Sequence, residues 1–315
     1  QTEDDLEKLT FQRRHFHDFV TDYGIHYENE ACSMYNWKQL WTECKSSTPV
    51  KRMYVCKASY HSTDSNQPIV DALCALPPTK FNFAPDVLCV SEGCDVRLVK
   101  NMSVAAGLVG SASGKVAKVI YNNADVECLV EGKNPAPYCI VVDFPGFQGF
   151  PSKKDSSVRT FPFPEHPQWV PIYREKFRPM RRDVPSYILK KQDMKYCYRE
   201  QFPLDLSRHI TAHRAQGQTL ANCTVSVDLG LDNPDRRLPA DIGAIIYVAC
   251  TRATQLKNLF VSPIHPSVWE KLGQSSDDSE RRAAEVKLKD MSLTFASKHG
   301  WYTEMKEELD WMPNY

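Results

Sequence analysis

The stretch Thr211-Ala-His-Arg-Ala-Gln-Gly-Gln-Thr-Leu220 decides how this chain is read, together with Ile246-Tyr-Val-Ala-Cys-Thr-Arg-Ala253 further on. Thr211 and His213 carry short polar side chains, Gln216-Gly217 lets the backbone pass close to a neighbour, and Arg252 is a permanently charged planar fork. Singly, each has an ordinary explanation: Arg252 as a surface arginine closing a buried helix, His213 as a satisfied core histidine. Short motifs match by chance, but two in a fixed order point to one site built from both.

In that order and spacing the two stretches resemble the T-x-H-K-x-Q-G-x-T and Y-V-A-x-S/T-R runs of superfamily-one DNA helicases. Arg199-Glu-Gln-Phe-Pro-Leu204 resembles the family's R-x-Q-F-P-L entry, and Val87–Asn101 its L-x-L-x-x-G-x-x-V-M-L-x-x-N strand pair turning at Gly93, with Val96 and Leu98 facing a core. Tyr27–Asn36 is similar to T-N-x-x-V-x-x-x-N, where a strand gives way to a helix, with Glu28 at the usual Thr. The group these motifs resemble most is the PIF-type (petite integration frequency) helicases; Helitron-type helicases are a close alternative and RecD-type relatives a further one. Arg214 stands for the common Lys, and Cys250-Thr251 for Leu-Ser.

The resemblance implies an α/β fold: a RecA-like core of the P-loop-NTPase type, the second of two motor cores, with an inserted all-β barrel of the Src-homology-three kind. Residues 1–20 would close the first core, with a helix over Thr2–Arg14. Residues 21–114 and 200–270 would make the second core, 115–199 the barrel and 271–315 a helical tail. It also implies roles. Arg252 would be the catalytic cation on the transferring phosphate, Gln216, Gly217 and Thr219 would join it around the nucleotide, and Thr211, His213 and Arg214 would contact DNA. ATP and Mg2+ are the implied cofactors, with the magnesium ligands in the first core; the implied partners are that core and single-stranded DNA or duplex junctions. The implied activity is 5'-to-3' translocation and unwinding in repair, recombination or telomere maintenance, at a nuclear location with the mitochondrion as alternative.

The chain carries no G-x-x-x-x-G-K-S/T. Gly110-Ser-Ala-Ser-Gly-Lys115-Val imitates one, but the first glycine's position is Val109 and the hydroxyl's is Val116. It matches better the family's G-L-x-N-G-x-x-G-x-V turn, over Gly107–Val116. The chain alone is therefore expected to be inactive as a motor, and a non-catalytic single-strand-binding module is the rival reading.

Composition narrows this from outside. With 42% apolar and 25% charged residues the chain reads as an ordinary globular protein. Lys plus Arg and Asp plus Glu are 39 each, so any nucleic-acid contact rests on local patches such as Arg178, Arg181 and Arg182, Lys190 and Lys191, or Arg236 and Arg237. Eleven cysteines without a C-x-x-C pair fit a reducing compartment. His61, Cys56, Cys89 and Cys94 match no standard zinc spacing, and neither a bound metal nor a membrane segment is expected. Short strands are expected at Val116–Tyr121, Val126–Val130, Tyr138–Phe144 and Trp169–Tyr173. Their Phe144, Phe147 and Trp169 serve packing first; each would contribute ~1–3 kcal/mol if it stacked on a base.

Overall fold

The computed structural model describes residues 21–62, 67–122, 135–153, 155, 157–179, 196–232 and 241–268. The expected helix over Thr2–Arg14, the strand at Val126–Val130, the tail and the basic pairs at 181–182, 190–191 and 236–237 lie outside these residues.

β1 (Tyr23–His26) runs into helix α1 (Asn29–Ser46). Glu30 in its first turn and Lys45 in its last complement the helix dipole, and Cys32, Asn36, Leu40 and Cys44 bury one face at intervals of a turn. Next come β2 (Tyr54–Lys57), β3 (Ser59–His61), helix α2 (Gln67–Cys74), β4 (Val87–Val90), β5 (Asp95–Leu98) and β6 (Ser113–Ile120). They are followed by β7 (Cys139–Asp143), β8 (Phe150–Pro151), β9 (Arg159–Thr160), β10 (Trp169–Ile172), β11 (Glu175–Phe177) and β12 (Tyr198–Gln201). β13 (Leu204–Leu206) and β14 (His209–Thr211) lead to the one-turn helix α3 (Ala212–Ala215), then β15 (Val225–Asp228), helix α4 (Ile242–Cys250) and β16 (Leu259–Val261).

Four of these strands form an all-parallel sheet in the order β14-β1-β15-β16. Its connections carry helices, as parallel pairing requires: α1 follows β1, and α4 lies between β15 and β16. A second, antiparallel sheet has the order β10-β7-β6-β5-β13. Its core holds Val96, Leu98, Val116, Ile140, Val142, Phe144, Ile172 and Leu204, and Leu204 and Leu206 sit opposite Leu98 and Val96. Gly114 stands where β6 passes the β7 backbone so closely that a Cβ would meet the Asp143 carbonyl oxygen at 2.4 Å.

One sequence expectation changes here. β4 and β5 are both present, and Gly93 turns between them with φ +86°, yet they do not pair with each other. β4 pairs with β2 and β5 with β6 and β13, because the Gly93 amide bonds to the Val116 carbonyl and turns the chain into the second sheet. In the second sheet β6, β7 and β10 lie beside β5 and β13, and in a third β12 stands between β11 and β3.

By compactness, the described residues up to Leu229 and those of Ala244–Ser262 form one unit. Those of Gly230–Gly243 and beyond Pro263 belong to a second unit, held locally by bonds such as the His265 amide to the Leu231 carbonyl at 2.9 Å.

Candidate functional site

The two defining stretches meet. β14 delivers Thr211, which is buried and opposite His26 on β1, into α3. The turn after α3 uses Gly217 at φ +80°, a conformation that costs glycine little. Beyond it the Leu220 amide donates to the Arg252 carbonyl at 2.9 Å, and Leu220 and Ala253 form a parallel bridge. The half-buried Arg252 guanidinium closes the junction. Nε donates to the Val248 carbonyl at 2.8 Å, Nη1 to the Gln218 carbonyl at 2.8 Å, and Nη2 to the Thr251 hydroxyl at 2.9 Å. Arg252 thus ties the end of α4 to the loop that carries Gln216, Gly217 and Thr219, all three exposed.

The two charged side chains of α3 diverge. His213 is exposed, its ring 6.3 Å from that of Tyr27. Arg214 turns inward, with its guanidinium 3.9 Å from the centre of the Phe83 ring and 3.7 Å from Asp205. Burial, followed by the like charge of Arg97, holds the Arg214 pKa below its ordinary value. Arg97, only 5% exposed in its side chain, donates Nη2 to the same Asp205 carboxylate at 2.5 Å. Two guanidinium groups therefore share one carboxylate.

Sequence reasoning missed this second layer. Arg97 lies between apolar Val96 and Leu98, so strand alternation assigns it to solvent, whereas the structure buries it at 4% exposure. His209 is buried beside His26 at 2.9 Å and beside Gln39 at 2.9 Å, and burial pushes its pKa down to about 3. Arg208 bridges Asp95 at 2.7 Å and Glu43 at 2.6 Å. The signal available in the sequence was the polar run Asp205-Leu-Ser-Arg-His209 between apolar Leu204 and Ile210, within which the structure buries Ser207 and His209.

Of the aromatic residues raised for base stacking, Phe144 and Phe147 belong to the apolar core. Trp169 is partly exposed and stacks on His166 at 3.9 Å, with Lys118 5.5 Å from its ring centre. Cys56, Cys89 and Cys94 are buried, and burial raises all three thiols above their ordinary pKa. Among the described residues, no group of three or more His, Cys, Asp or Glu is placed to hold a metal ion, and no helix is long and apolar enough to cross a membrane.

Fold and site together define an α/β protein whose conspicuous loops leave the ends of parallel strands. No family model and no curated protein matches the chain. Among solved structures it is similar to Pif1 helicase from Candida albicans, at 18% identity and a TM-score of 0.46, over 86% of this chain and 58% of that one. It is also similar to Bacteroides Pif1 bound to ssDNA, at 14% identity and a TM-score of 0.46, over 89% of this chain and 51% of that one. A third is Pif1 helicase from Bacteroides in complex with ADP-AlF3 and ssDNA, at 16% identity and a TM-score of 0.46, over 88% and 52%. The chain spans about half the length of these structures.

Proposed function

We propose that this chain supplies the second core of a PIF-type, ATP-driven DNA helicase. The observation that supports it is the junction of the two stretches: the Arg252 carbonyl accepts from the Leu220 amide while its guanidinium donates to the Gln218 carbonyl, so the two loops are joined. In a motor that joint would couple a nucleotide beside Gln216, Gly217, Thr219 and Arg252 to a single strand beside Thr211, His213 and Arg214. Phosphoryl transfer needs a fixed cation where charge develops, and it also needs a phosphate-binding lysine and magnesium ligands. In this reading a first core outside these 315 residues provides the latter, and an inserted barrel of the Src-homology-three kind braces the second core. The assembled protein would use ATP and Mg2+, track 5' to 3' on single strands or duplex junctions, and serve DNA repair, recombination or telomere maintenance in the nucleus.

The test is ATP turnover with and without oligothymidylate. The 315-residue chain alone is expected to bind the oligonucleotide without turnover, and joining it to a core that carries a P-loop is expected to restore turnover. Robust hydrolysis by the chain alone, abolished by Arg252→Ala, would sink the division of labour proposed here.

One observation favours a second reading. Three nitrogens of Arg252 are committed to protein oxygens, as in a structural staple, and this suits a non-catalytic single-strand-binding module. Such a module binds with strong salt dependence and no response to nucleotide, which separates the two readings in one titration.

A further inference from the structure

Arg97 lies on the walls of two cavities, and their other walls differ in charge. One, of about 390 Å3, is shared with both carboxylates nearby, Asp205 and Glu30, and with the proline-rich turn at Pro77–Pro85. The other, of about 370 Å3, is lined by Tyr23, Ser111, Ser113, Ser207 and Thr219 beside Arg97, and among the described residues no carboxylate contributes to it. Its remaining walls are Ile210, Gln218 and Leu220. Burial, then the Asp95 charge, raises the Tyr23 phenol, so it stays a neutral hydrogen-bond donor at working pH. Asp95 is itself matched by Lys115 at 3.0 Å and Arg208 at 2.7 Å.

The charge balance is what makes the second cavity informative. Asp205 serves both Arg97 and Arg214, which leaves one positive charge over in a mostly desolvated cluster. Among the described residues the buried Arg97 Nε has no hydrogen-bond partner. A buried cation with an unused donor is costly unless an anion completes it. The hydroxyls of Tyr23, Ser111, Ser113, Ser207 and Thr219 can donate to several oxygens at once, as a tetrahedral oxyanion requires and a planar carboxylate does not. The volume, within the ~300–1,000 Å3 of small-ligand sites, admits a phosphate with part of a nucleoside attached.

We infer that this carboxylate-free cavity at Arg97 is a phosphate-binding site, in which Arg97 supplies the charge and the surrounding hydroxyls the hydrogen bonds. Through Thr219 it deepens the motor reading, which places that loop beside a nucleotide, but it requires neither hydrolysis nor a first core. The phosphate can come from a free nucleotide or from a nucleic-acid strand.

Binding of inorganic phosphate, AMP and oligothymidylate to the full 315-residue chain tests this by calorimetry. Ser113→Asp places a carboxylate in the cavity from an exposed strand position and keeps the fold, while Arg97→Met removes the charge at similar length. Both substitutions are expected to weaken binding by roughly tenfold or more, the usual effect of losing a charge-assisted hydrogen bond. Loss of inorganic phosphate and AMP binding identifies a nucleotide site; loss of oligothymidylate binding alone identifies a strand site. Should Arg97→Met fail to fold, Ser113→Asp decides. If Ser113→Asp binds all three probes as the unaltered chain does, or if the unaltered chain binds none of them, the inference is overturned.

Discussion

The Arg252 guanidinium donates Nη1 to the Gln218 carbonyl at 2.8 Å, so the residue expected to face a phosphate also pins the loop expected to face the nucleotide. Two further donations, to the Val248 carbonyl and the Thr251 hydroxyl, make it a joint between α4 and that loop. Arg252→Ala strands partly buried carbonyls and is expected to cost about 1–3 kcal/mol in urea unfolding. Arg252→Lys, which cannot bridge both carbonyls with a planar fork, should fall between the two. Equal stability of all three proteins would show that the joint contributes nothing.

His209 makes stability depend on pH. Its ring is buried, 2.9 Å from His26, and its pKa is pushed down from 6.5 to about 3 first by burial and then by the charges of His26 and Arg208. A folded-state pKa below the unfolded one means that the unfolded chain takes up the proton first. The stabilisation is therefore complete above pH 6.5 and is lost as pH falls toward 3. This group alone should remove on the order of 4 kcal/mol by pH 3. Unfolding free energies measured at several pH values should decline below pH 6.5, and His209→Asn, which cannot take up the proton, should flatten the decline. A variant with the same slope as the unaltered chain would assign the acid sensitivity elsewhere.

Two glycines separate close packing from backbone conformation. A Cβ on Gly114 would meet the Asp143 carbonyl oxygen at 2.4 Å and Val142 Cγ1 at 2.8 Å, whereas a Cβ on Gly217 would meet nothing within 4 Å among the described residues. Gly217 has φ +80°, so Gly217→Ala is expected to cost about 1 kcal/mol through backbone strain alone. Gly114→Ala must spread β6 from β7 and should exceed about 2 kcal/mol. Unfolding midpoints of the two variants give the order directly, and a Gly114→Ala milder than Gly217→Ala would contradict the strand packing.

What was legible in the sequence is local. Tyr27–Asn36 leads into α1, the expected strands at Val116–Tyr121, Tyr138–Phe144 and Trp169–Tyr173 hold residues of β6, β7 and β10, and Val96 and Leu98 face a core, because periodicity and punctuation by Pro and Gly are properties of neighbouring residues. Strand partnership is not local. Nothing in Val87–Asn101 states that β4 pairs with β2, nor that the amide of Gly93 bonds to Val116 and leads β5 into another sheet. The buried charges were hidden for a related reason. Alternation places Arg97 opposite Val96 and Leu98, on the face that a one-sided sheet gives to water, and only the tertiary arrangement puts Asp205 and Arg214 there. The loop residues Gln216, Gly217 and Thr219 and the helix-end Arg252 were found by motif, and their meeting depended on β14 and β15 taking places either side of β1.

His213 and Arg214 are neighbours with opposite surroundings, and this sets the last prediction. His213 is exposed, with its ring centre 6.3 Å from that of Tyr27, so His213→Ala should leave stability within about 0.5 kcal/mol. If its ring contacts a strand, oligothymidylate affinity should fall while the salt dependence of binding stays close to that of the unaltered chain, because a neutral ring displaces few counterions. Arg214 lies over Phe83 and makes the longer of the two ion pairs to Asp205, so Arg214→Ala loses the ring contact and its packing while the Arg97–Asp205 pair stays balanced, and should destabilise by about 1 kcal/mol. Unfolding curves and fluorescence titrations of both variants at two salt concentrations resolve the pattern. Unchanged oligothymidylate affinity in His213→Ala would remove that side chain from the DNA track, and an unchanged unfolding midpoint in Arg214→Ala would show that its contact with Phe83 contributes nothing to the fold.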